Sequence, residues 1–111
     1  MVKKQDITRC IPFSTSAGGA AWVTILEIQE GKKVKIHAIW VDMSANDCAQ
    51  VAFMDHKDNQ CIIASGNTGD YFSGILGHAV PMEEHDYITV YASGAATITG
   101  GIWLTELYQK P

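Results

Sequence analysis

Apolar residues return at every second position through most of this chain, in short runs that turn-forming residues interrupt about every ten residues. That rhythm belongs to half-buried β-strands, because alternate side chains of a strand point to opposite faces of its sheet. No segment carries the three-to-four spacing of an amphipathic helix. The runs are Ile7 to Phe13, Ala21 to Gln29, Val34 to Met43, Cys48 to Asp55, Cys61 to Ser65, Tyr71 to Gly77, Asp86 to Ala92 and Thr97 to Leu107. They predict eight strands and an all-β fold.

The connections refine this reading. Ser14 to Gly19 reads as a flexible loop, Glu30 to Lys33 and Ser93 to Ala96 as tight hairpins, and His78 to His85 as a longer polar connection holding Pro81. Gly100-Gly101 in the last run predicts a bulge or a close backbone approach. With 111 residues and no change of composition along the chain, residues 1–111 form one β-sandwich domain. An antiparallel jelly-roll sandwich is the preferred architecture and an immunoglobulin-type sandwich the second. In jelly-roll order the first, eighth, third and sixth strands share a sheet.

The third run is apolar on both faces, with Val34, Ile36, Ala38 and Trp40 on one and Ile39, Val41 and Met43 on the other. In the last run Ile102 and Leu104 oppose Trp103, Thr105 and Leu107. A strand wetted on one side alternates apolar with polar, so this surplus predicts a covered outer surface. Ile39, Val41, Met43, Trp103 and Leu107 are therefore the expected interface residues. Tyr87 and Tyr91, with His78 and His85 in the polar connection, make a second candidate face for a ligand or partner.

Composition removes several functions. A net charge of −4 with scattered basic residues leaves no broad cationic footprint for nucleic acid. No run of apolar residues reaches membrane length, and none follows Lys3 and Lys4 as in a signal peptide. Cys10, Cys48 and Cys61 are odd in number and lack a CxxC pair, which favours reduced thiols over a disulfide framework or zinc site. Gly31 followed by His37 matches the opening of the cupin metal motif, but Ala38 and Ile39 follow where a second histidine is needed, and one imidazole does not hold a transition metal. His37 is expected to be a hydrogen-bonded structural or interface residue. His78 and His85 around Glu83 and Glu84 read as a solvated loop, and Gly66 to Asp70 as a turn rather than a calcium loop. No serine stands in a GxSxG elbow. The expectation is a protein without catalytic residues, metal or cofactor.

The segments EIQEGKKVKIHAIWVDMSANDCAQVAFMD and HDYITVYASGAATITGGIWLTEL resemble small β-sandwich virion proteins of tailed bacteriophages, head-decoration and tail-associated modules among them. The first is similar to their PAGK-x-V-x-I turn and strands, with Gln29-Glu30-Gly31 replacing Pro-Ala-Gly, and the second to their closing hairpin. The resemblance implies a jelly-roll subunit, homotrimeric, made in the host cytoplasm, carried in the virion and docked on a capsid or tail lattice. The expected function is accordingly a non-enzymatic structural module that self-associates. The alternatives are a carbohydrate- or receptor-binding sandwich using its exposed aromatics, and a degenerate cupin-like enzyme.

Overall fold

A computed structural model describes the backbone of residues 6–44, 49–66 and 72–107, and side chains within these except residues 43, 49, 63–66 and 72–78. Its strands are β1 (Ile7–Ala17), β2 (Ala21–Glu27), β3 (Lys33–Met43), β4 (Ala49–Met54), β5 (Gln60–Gly66), β6 (Phe72–Glu83), β7 (Tyr87–Ala92) and β8 (Ala96–Glu106). They form two four-stranded sheets, β1-β8-β3-β6 and β2-β7-β4-β5, with every neighbouring pair antiparallel. This is the jelly-roll order expected from the sequence.

The core lies between the sheets and is built mainly from β-branched residues, whose stiff side chains suit a pleated surface. Ile36, Val41, Ile98, Ile102 and Leu104 from the first sheet meet Val51, Phe53, Ile88 and Val90 from the second. The alternation read from β7 holds: Ile88, Val90 and Ala92 are buried, while Tyr87 and Tyr91 lie on the other face, half-exposed.

Four local expectations are corrected. First, jelly-roll order sends successive strands to opposite sheets, so Glu30–Lys33 and Ser93–Ala96 are crossings between sheets and not hairpins. Among the described strands only β4 and β5 are consecutive and paired. Gly31 serves its crossing with φ of 79°, a left-handed conformation that costs glycine little.

Second, the stretch from His78 to Glu83 is strand, because Val80 and Met82 alternate with Pro81 and Glu83 on the edge strand β6, where a missing N–H is tolerated. His85 falls beyond it in the turn, with an exposed side chain and φ of 72°. Its N–H donates to the Ile28 carbonyl at 2.8 Å. Third, β1 continues through Ser14 to Ala17, paired with Thr99 to Ala96, where a loop was expected.

The fourth correction concerns β3. Its register with β8 slips at His37: Ile36 pairs with Leu104 and Ala38 with Trp103, leaving His37 as an extra residue. Such a bulge reverses which positions face the core. Val34 and Ile36 point inward before it, and Ile39 and Val41 point inward after it. Ile39 and Val41 are therefore core residues, with 3% and 0% exposure, and are withdrawn as interface residues.

Candidate functional site, the outer face of the first sheet

Gly100-Gly101 organises this face through close approach rather than a bulge, since β8 keeps an unbroken register there with both neighbours. A Cβ on Gly101 would lie 2.3 Å from Trp40 Cζ2, so the indole lies directly over the glycine. Register then stacks two apolar rows across three strands. Cys10, Trp103 and Ala38 form one, and Pro12, Gly101 and Trp40 form the next. Polar rows border them: Thr8, Thr105 and Lys35 on one side, Ser14, Thr99 and Asp42 on the other.

Trp103 is the most prominent member, 47% exposed at the middle of its row. His37 flanks it, its ring centroid 5.6 Å from that of Trp103, and its Nε2 lies 2.7 Å from the Thr105 hydroxyl. The extra residue of the bulge thus buttresses the exposed indole. An apolar centre with a hydroxyl-rich border has the anatomy of a protein contact surface. Of the other expected interface residues, Leu107 follows β8 half-buried, its N–H donating to the Lys33 carbonyl at 2.9 Å. Met43 ends β3, and its side chain is outside those described.

The second candidate face does not form as one surface. Tyr87 and Tyr91 project from the second sheet, whereas His78 belongs to β6 in the first sheet, with its side chain undescribed. Tyr91 stacks against Trp22 at 5.3 Å with the rings tilted by 49°, which is not a flat platform. Between the two tyrosines the Thr89 hydroxyl is buried without a hydrogen-bond partner. Tyr87 donates its hydroxyl proton to Asp58 Oδ1 at 2.6 Å, and that bond to a carboxylate holds the phenol above the ordinary tyrosine pKa.

A raised folded pKa means this bond's contribution is complete below the unfolded value near 10 and is lost as pH rises through the folded value. Asp58→Asn is expected to return Tyr87 toward the ordinary range. Phenolate absorbance of this variant, taken against Tyr87→Phe, checks it; an unchanged titration would refute the assignment.

A cavity of about 420 Å³ opens between β1 and β2, floored by Ile11, Leu26, Ile28, Val34 and Leu104. Its rim cations are internally engaged: Arg9 and Lys32 contact Glu106 at 3.0 and 2.7 Å, and chiefly the Lys32 bond lowers the Glu106 pKa. Among the described residues no group of three or more His, Cys, Asp or Glu converges as a metal site. Cys10 and Cys61 are free and exposed; Cys48 and residues 67–70 of the glycine-asparagine turn lie outside the described residues. No helix among the described residues is long and apolar enough to cross a membrane.

With this geometry in view, likenesses to known proteins can be set beside it. A chain of the Bacillus endospore appendages, described as a novel family of disulfide-linked pili, superposes with a TM-score of 0.64 over 96% of this chain and 93% of its own length. At 7% identity that likeness is one of fold alone. An uncharacterized peptidase of Staphylococcus haemolyticus (strain JCSC1435) is 29% identical over 100 residues, which cover 90% of this chain. The chain spans about a quarter of that protein's length, 26%. No family model matches.

Several members of the face escaped the sequence reading. Trp40 was assigned to a surface shared with Val34 and Ile36, and Cys10 and Pro12 to no surface at all. One signal was available: adjacent glycines in a strand leave a slot that an aromatic on the neighbouring strand can fill. Trp22 and Ile62, 39% and 47% exposed, were also missed.

Proposed function

We propose that this protein is a non-enzymatic structural subunit that self-associates through the outer face of β1, β8 and β3 and thereby builds or reinforces a larger protein assembly. The observation that carries the reading is Trp103, a half-exposed indole centred in two apolar rows with a polar border. The closed complex proposed is a homotrimer, and its setting is a virion, as the resemblance to phage sandwich proteins implies. A fold shared with a pilus chain supports the broader class, subunits of extended assemblies.

The driving force is burial. At about 25 cal/mol per Å² of apolar area, a few hundred Å² on each copy gives several kcal/mol before association costs. Trp103 would supply much of it, as large aromatics at the centre of an interface commonly do.

Trp103→Lys is the test. In dilute solution the wild type should scatter light as a discrete three-chain species, and the variant should shift to one chain with an unchanged far-UV circular dichroism spectrum. Wild-type protein that is monomeric across concentration, or a variant with unchanged native mass, would defeat the proposal. Binding of a glycan by such a monomer would favour the carbohydrate-binding alternative instead.

A further inference from the structure

We infer that the β2 edge of one copy pairs with the β5 edge of a second copy, joining their second sheets side by side into an open-ended chain. The inference rests on the reading of the protein as a self-associating subunit, and adds a contact distinct from the Trp103 face.

Among the described residues each sheet ends in two strands that pair on one side only, and the N–H and C=O groups of such an edge are templates for another strand. The two sheets treat their edges differently. The first carries a proline in each edge strand, Pro12 in β1 and Pro81 in β6, which removes a donor from the ladder. The second has neither proline nor lysine in β2 (AWVTILE) or β5 (QCIIASG). Those same two strands carry two of the four exposed large apolar side chains among the described residues, Trp22 and Ile62.

The second-sheet edges also fit each other. β2 and β5 each have seven residues. β2 runs antiparallel to β7, β7 to β4 and β4 to β5, so β2 and β5 point in opposite directions. A sideways shift of one copy therefore brings them together antiparallel without turning it over.

Each strand also contains one register slip, at Ile25 in β2 and at Ile63 in β5. A slipped strand loses its in-out phase against a straight partner. Here the slips compensate. Aligning Glu27 with Gln60 and Ala21 with Gly66 sets the extra residues at adjacent positions, and both strands stay in step along their full length.

A second copy is thus the occupant that supplies the strand direction, length and irregularity this edge requires. The contact is head-to-tail, so it leaves a fresh edge at each end and does not close by itself; it comes apart in the dilute solution in which the Trp103 face is tested, and a covalent trap at higher protein concentration is what reveals it.

The test uses full-length chain with Cys10, Cys48 and Cys61 replaced by serine, adding Glu27→Cys and Gln60→Cys singly and together, all under mild oxidation. Both substituted positions are exposed, and circular dichroism checks each fold. The doubly substituted chain should give a ladder of covalent multimers on a denaturing gel. The two single variants mixed should give dimer only, and more of it than either alone.

Absence of the ladder, or single variants that dimerise as readily alone as mixed, overturns the head-to-tail edge contact. Trp103→Lys in the doubly substituted chain separates the two surfaces. A ladder that persists supports the edge contact even if the face proposal has failed, and a ladder abolished by Trp103→Lys overturns the edge contact by tracing the links to the face.

Discussion

Gly100→Ala is expected to destabilise the domain by about 3 kcal/mol or more, at or beyond the upper end of ordinary overpacking. A Cβ built there would stand 2.0 Å from the Trp40 carbonyl oxygen and 2.9 Å from Phe13 Cζ. The first obstacle is backbone in the central pairing of β8 with β3, and it yields only if the sheet opens. Gly101 is a useful contrast, since its obstacle is the Trp40 indole. Gly101→Ala should therefore cost much less in a Trp40→Ala background than in the wild type, whereas Trp40→Ala should not relieve Gly100→Ala, whose clash with a main-chain oxygen remains. Urea unfolding followed by circular dichroism measures all of these. A Gly100→Ala protein within about 0.5 kcal/mol of wild type, the range of innocuous surface changes, would contradict the geometry.

The glycine pair also shows how far the sequence could be read. Period-two alternation in β7 and β8 placed Ile88, Val90, Ile102 and Leu104 on core faces because the extra residues of the slips beside them belong to the neighbouring strands, Ile25 in β2 and His37 in β3, while β7 and β8 themselves carry no inserted residue. Eight runs with two doubly apolar strands were enough to prefer jelly-roll order. What alternation does not encode is a change of phase. His37 has no local signature of a bulge, so Ala38, Ile39, Trp40 and Val41 beyond it were assigned to the wrong faces. The edge strand β6 was misread for a different reason: Pro81 and two glutamates look like a connection unless a neighbouring strand is known to pair with them. The same blindness hid the candidate face, since Cys10, Pro12, Trp40 and Trp103 are brought together by register across strands distant in sequence. Trp103 was recovered because an exposed tryptophan on an otherwise regular strand needs only local alternation to be noticed.

Ile39→Asp is the substitution in which that phase change has its largest consequence. Sequence alternation puts Ile39 on the outer surface, where an aspartate would cost little stability and would impair association instead. The bulge at His37 puts it opposite Ile102 in the core, 3% exposed and surrounded by apolar side chains. An isolated carboxylate there has no partner, and it must either stay charged in a poorly polarisable interior or take up a proton far above its ordinary pKa. Lost packing of the isoleucine adds about 2–5 kcal/mol on the scale of large-to-small core substitutions. Native domains are stable by about 5–15 kcal/mol, so the sum approaches or exceeds what this sandwich has. The expected result is an unfolded or aggregated chain, while Ile39→Ala folds with a transition shifted by those few kcal/mol. Trp103→Asp supplies the opposite pattern, a normal unfolding transition with the native mass of one chain. If Ile39→Asp instead folds like wild type and only the native mass falls, the bulge at His37 is misplaced, and the outward surface of β3 must be redrawn with Ile39 and Val41 on it.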